Sequence, residues 1–210
     1  MFHSESDLFL LNALPSNQPV SRMFRLWEGA GTALGEVYTL VTSNTDLGDD
    51  PSVAEVVEVS ETAGGVIECE KPINSGPAHW VLKAGLHGLV DWITTGTPLP
   101  EAERLAVTEE RDAFELDARE NVLGGIRTNY VDVPVATLSG EGQAGESFCR
   151  IFGTTSLFDD AQLSELYPTE QGYVDAVRAS TDAAVEASFL LPPDAALIVA
   201  DAETSGIGGP

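Results

Sequence analysis

The chain has 210 residues, 43% of them hydrophobic, which suffices for one domain with a real core, and no apolar run long enough to cross a bilayer. Acidic residues outnumber basic ones 34 to 10, a formal net charge of −24. Such a surface repels phosphate backbones and anionic lipid, so neither nucleic acid nor membrane is an expected partner.

The first residues, "MFHSESDLFLL", hold a short strand and lack the basic region and cleavage site of a signal peptide. As written, the chain is expected in the cytoplasm. Residues 1–48 read as strand and loop. A strand-like run, Arg22–Trp27, leads into "WEGAGTALGEVY" at 27–38. Gly29, Gly31 and Gly35 let that segment turn tightly and aim one side chain outward, and the candidate is Leu34. The acidic stretch 49–61 reads as a short helix or a linker.

From Gly76 the pattern becomes helical. Leu82, Leu86, Leu89 and Ile93 recur every three or four residues, Val81, Ala84 and Trp92 widen that apolar face, and Gly96 stops the run. Residues 97–120 read as an exposed connection. "YVDVPVATL", Tyr130–Leu138, reads as a strand with Pro134 marking an edge or bulge. "CRIFG" reads as another short strand. "LFDDAQLSELYP" reads as a short helix with Asp159 or Asp160 near its N-cap. Thr169 opens a long helix whose Tyr173, Val177, Thr181, Ala184 and Ser188 share one face and which ends at Pro192. A last helix starts at Pro193. The reading gives a single domain over 1–204 and a frayed, disordered tail over 205–210.

Few motifs carry chemistry. "GEGQAG", Gly140–Gly145, matches a dinucleotide fingerprint, but strand-like sequence follows it where a helix is needed, so it reads as a surface loop and no cofactor is expected. There is no G-x-S-x-G elbow, no H-E-x-x-H and no phosphate-binding loop. His79 and His87 lie eight apart, about two helical turns, and read as packing or surface residues. His3 stands at the start of the chain. No spacing suggests a metal site. Cys69 and Cys149 either pair in an oxidising compartment, closing a long loop, or sit as two buried free thiols.

Six stretches in order, "SESD", "FRLWEGAGTAL", "CEKPINSGPAHWVLKAGLHGLVDWITTGTPLP", "ENVLGGIRTNYVDVPVATL", "CRIFGTTSLF" and "LYPTEQGYVDAV", resemble the C-terminal part of a bacterial α/β-hydrolase-domain family. The resemblance runs from about Ser4 to about Ala200. It implies an α/β fold: the C-terminal portion of a hydrolase-type sheet with covering helices and a family-specific helical elaboration. It also implies a serine mechanism on carboxylic esters or related acyl bonds, with the nucleophile in an N-terminal half that this chain lacks. The acid position falls on Asp7, with Glu5 as the alternative. The loop histidine, the family's base, falls on Leu34. Glu120 stands where the family has Gly, and Asn129 where it has Pro.

Leucine cannot accept a proton at any pH, so the resemblance implies a chain inactive by itself. Its small-molecule ester substrate would be met only in a completed site. Arg127 is a candidate for binding a substrate carboxylate, against a structural ion pair. Relatives that look secreted favour a Cys69–Cys149 disulfide. A sheet missing its neighbours has an open edge, so the expected partners are an N-terminal hydrolase half or a second copy, and the rival reading is a non-catalytic assembly module.

Overall fold

The computed structural model describes residues 1–42, 46–47, 60–63, 67–145 and 148–209. The expected helix or linker at 49–61 lies outside them apart from its last two residues.

The N-terminal segment makes strand β1 (Phe2–His3), then a one-turn helix α1 (Glu5–Leu8). β1 pairs in parallel with β2 (Trp27–Glu28), in the register Phe2↔Trp27 and His3↔Glu28. The expected strand Arg22–Trp27 is therefore shifted toward its C-terminal end; Ser21 and Phe24 instead bridge each other in a tight turn. Beyond β2 the ladder continues as a single parallel bridge, Gly29↔Ile126. Among the described residues no strand pairs with the other edge of β1.

Strands β3 (Thr62–Ala63) and β4 (Ile67–Glu68) form a small antiparallel pair. Helix α2 (Ala78–Thr95) follows, and Gly96 closes it in the left-handed conformation at φ 80°. The connection after it is better ordered than composition suggests. Leu105↔Gly124, Val107↔Phe114 and Leu116↔Val122 bridge across it, and Leu105 and Val122 are buried.

Tyr130–Leu138 is not one strand. It is a helical turn, α3 (Asn129–Asp132), followed by β5 (Ala136–Ser139). The β-branched composition is overruled by Arg127, whose guanidinium holds Asp132 Oδ1 at 2.6 Å and the Val131 carbonyl at 2.9 Å. Pro134 falls in the gap between the two elements, where no ladder donor is needed. β5 pairs antiparallel with β6 (Thr154–Leu157). The expected strand "CRIFG" is instead a 3-10 turn, Cys149–Ile151.

Helix α4 (Asp160–Leu166) is capped by Asp159, whose side chain accepts from the Gln162 amide at 2.8 Å. Thr169 caps α5 (Glu170–Glu186) through the Gly172 amide. Tyr173, Val177, Thr181 and Ala184 share its buried face as the spacing predicts. Ser188 does not, because the helix ends at Glu186 and Ser188 turns the chain at φ 65°. Pro192 opens α6 (Pro192–Ala202) rather than ending α5, its missing N–H costing nothing in a first helical turn. Ile207, in the tail, packs against the main core.

That core joins α3, β5, α5 and α6 around Trp80, whose indole N–H donates to the Tyr130 hydroxyl at 2.9 Å. Burying each such large side chain contributes roughly 1.5–3 kcal/mol. The fold is α/β in the broad sense of helices with small sheets.

Candidate functional site

α1 is built around two carboxylates with different surroundings. Asp7 reaches back along the turn: its Oδ2 accepts from the Ser4 amide and the Ser4 hydroxyl, both at 2.7 Å. With the Asp7 amide donating to the Ser4 carbonyl at 3.1 Å, these bonds fix a turn too short to persist by itself. Glu5 points inward and is fully buried. Its Oε1 accepts from the Gly31 amide at 2.6 Å and its Oε2 from the Gly140 amide at 2.7 Å. Desolvation pushes its carboxyl up to about 8, the two backbone donors opposing the shift.

The loop after β2 is tied to the same turn. Gly31 adopts φ 71°, and a Cβ there would stand 2.6 Å from Val131 Cγ1. Asn74 spans the loop from behind, donating to the Gly31 and Ser139 carbonyls at 3.2 and 3.1 Å and accepting from the Gly76 amide at 2.8 Å. The loop then presents Leu34, 45% exposed, with its amide donating to Ser6 Oγ at 3.3 Å. Hydrogen bonds with Glu5, Ser6 and Asn74 thus hold in place a side chain that contributes no proton chemistry.

Asp7 and Leu34 line one cavity of about 460 Å³, together with Ser4, Glu36, His79 and Lys83. Glu5 is not part of its wall. At one side Glu36 and His79 form a buried pair: Glu36 Oε1 lies 2.9 Å from His79 Nδ1 and accepts from the His79 amide at 3.1 Å. The imidazole stacks on Tyr38, ring centres 4.1 Å apart, and leans on Trp80 at 4.3 Å. Desolvation and then the hydrogen bond to Asp46 push the Tyr38 phenol up to about 12, so it stays a donor.

A model of the family described as "Alpha/beta hydrolase domain" matches residues 1–200. The chain belongs to the alpha/beta hydrolase domain family. Comparison with curated proteins and with solved structures finds no match.

The remaining candidates of this alpha/beta hydrolase domain lie elsewhere. Arg127 spends its donors on Asp117, Asp132 and the Val122 and Val131 carbonyls, which makes it a clamp at the base of α3. Cys69 and Cys149 are joined as a disulfide with Cα atoms 5.6 Å apart, so neither is a free thiol. Gly140–Gly145 lies in the connection between β5 and β6; a Cβ at Gly140 would meet Glu5 Cβ at 2.5 Å, so its first glycine serves close packing. His87 is exposed, 3.5 Å from Asp91. Among the described residues no cluster of His, Cys, Asp or Glu could hold a metal ion, and no helix is long and apolar enough to cross a membrane.

The residues that sequence reasoning missed are Glu36 and its partnership with His79. They stand 43 positions apart, and no spacing rule connects a loop carboxylate to the first turn of a distant helix.

Proposed function

We propose that this alpha/beta hydrolase domain presents the acid side of a hydrolase-type site and does not itself cleave carboxylic esters or related acyl bonds. One observation carries the reading: Asp7 and Leu34, the acid and base positions, line the same cavity. An acid beside a leucine can orient no base, and no G-x-S-x-G elbow is present to be activated. Between the two carboxylates of α1, the cavity position favours Asp7, since Glu5 is consumed by two backbone donors. In the wider hydrolase scheme the two strands β1 and β2 correspond to the last strands of the parent sheet, their parallel pairing supporting that assignment. Labelling with a fluorophosphonate probe tests the reading. The purified chain should take up no label above heat-denatured background; stoichiometric labelling of one serine would overturn it.

A second reading, an assembly module, is favoured by a separate observation. Among the described residues no strand pairs with the second edge of β1, and α2 exposes Leu82, Leu86, Leu89, Val90 and Ile93. A strand added to that edge would satisfy the backbone and cover these side chains. On the purified chain the occupant we expect is a second copy. A mass that stays monomeric in light scattering at every concentration would argue against it.

The Cys69–Cys149 bond supports an oxidising compartment over the cytoplasm expected from the N-terminal residues.

A further inference from the structure

Two residues on the wall of the cavity beside Leu34 carry buried polar atoms that the acid position does not explain. Glu36 is 1% exposed and His79 6%, both residues line the cavity, and Glu36 Oε2 and His79 Nε2 have no hydrogen-bond partner among the described residues. Buried polar atoms of this kind cost stability unless something bonds them. Glu36 Oε1 facing Nδ1 makes Nδ1 the donor of that pair, so in the neutral imidazole the lone pair is on Nε2. A ligand that bonds this atom there donates to it.

The surroundings narrow the donor. An anion would meet the buried Glu36 carboxylate and a chain of formal charge −24. A cation would meet Lys83, whose amine stands over the Tyr38 and Trp80 rings, 3.8 Å from Asp46. A neutral hydroxyl meets neither objection. The rest of the wall is mostly apolar, from Phe2, Ala33, Leu34, Leu82 and Leu86, and is interrupted by Ser4, Asp7 and Thr39. About 460 Å³ accommodates a small organic molecule.

We propose that the Glu36–His79 dyad is the polar end of a binding site for a neutral alcohol or phenol, whose O–H donates to His79 Nε2 and whose hydrocarbon lies against Phe2, Leu34, Leu82 and Leu86. Leucine at position 34 then has a positive use: it extends the apolar wall. The site needs neither Asp7 nor turnover, so it stands or falls separately from the ester reading.

The test compares p-cresol with toluene, two probes of the same shape that differ by one hydroxyl. Binding is followed by tryptophan fluorescence and by the ring nitrogen signals of ¹⁵N-histidine-labelled chain. The wild-type chain should prefer p-cresol by at least about tenfold, because toluene leaves Nε2 unbonded, and p-cresol should shift the His79 Nε2 signal to saturation. In His79→Phe the preference should vanish. Equal binding of the two probes by the wild-type chain, no binding of either, or an unmoved His79 signal at saturation would each overturn the proposal, and none depends on a variant folding.

Discussion

The Ser6 hydroxyl accepts from the Leu34 amide at 3.3 Å and donates to the Gly140 carbonyl at 2.6 Å. One buried side chain therefore fastens the acid-bearing turn to the loop that carries Leu34 and to the end of β5. Ser6→Ala leaves a buried carbonyl and amide without that partner. It should destabilise the chain by about 1–3 kcal/mol in urea denaturation. Leu34→His, at a half-exposed position, should change stability by no more than about 0.5 kcal/mol. If Ser6→Ala were as mild as Leu34→His, the turn and the loop would not be coupled as described.

Glu5 makes a pH-dependent contribution whose sign is fixed. Its folded carboxyl is raised from the usual 4.5 to about 8 by burial. Between those values the folded chain holds a proton that the unfolded chain has released. Stability from this group is therefore full below the lower value and is lost as pH rises through the upper one. The urea midpoint should fall across this window, and the fall should be shallower in Glu5→Gln. At the acid end Glu5→Gln should be less stable by about 1–3 kcal/mol, because its amide nitrogen faces a backbone donor. Parallel profiles for the two proteins would contradict the assignment.

The disulfide joins residues 80 apart in sequence. Loop-closure entropy for a crosslink of that span is about 4–5 kcal/mol. The double variant Cys69→Ser, Cys149→Ser should lose a comparable amount, and a reductant should reproduce most of the loss in the wild-type chain. A reductant that left the denaturation curve unmoved would mean that the bond does not form in solution.

Periodicity was a good guide to helices and a poor guide to what they face. The Leu82–Leu86–Leu89–Ile93 stripe was legible, and α2 forms with its Gly96 cap as expected. Yet those side chains are exposed, Ile93 by 76%, while Ala78, His79, Trp80, Val81 and Ala84 are buried. An apolar stripe records a surface to be covered and does not say by what. Local caps at Asp159 and Thr169 could be read from three or four adjacent residues. The Tyr130–Leu138 misreading came from Arg127, whose reach to Asp132 and to Asp117 no composition window sees. The glycine spacing marked Leu34 as an outward side chain, the acid and base roles of positions 7 and 34 came from the resemblance, and the Glu36–His79 pair came from neither source, since only the folded chain brings them together.

The exposed stripe yields its own prediction. Leu86→Glu and Ile93→Glu remove apolar area from side chains that are 55% and 76% exposed among the described residues. Each should leave the denaturation midpoint within about 0.5 kcal/mol of wild type and shift light-scattering mass toward the monomer at high concentration. Unchanged association in both variants would remove this face from the assembly reading.

The measurement closest to the central claim is the initial rate of p-nitrophenyl acetate hydrolysis by the purified full chain and by Asp7→Asn, with the disulfide intact and near neutral pH. The account predicts that both rates equal the buffer background, because the base position is Leu34. Saturable turnover by the wild-type chain that Asp7→Asn abolishes would contradict it, and would mean that another side chain on the cavity takes the proton.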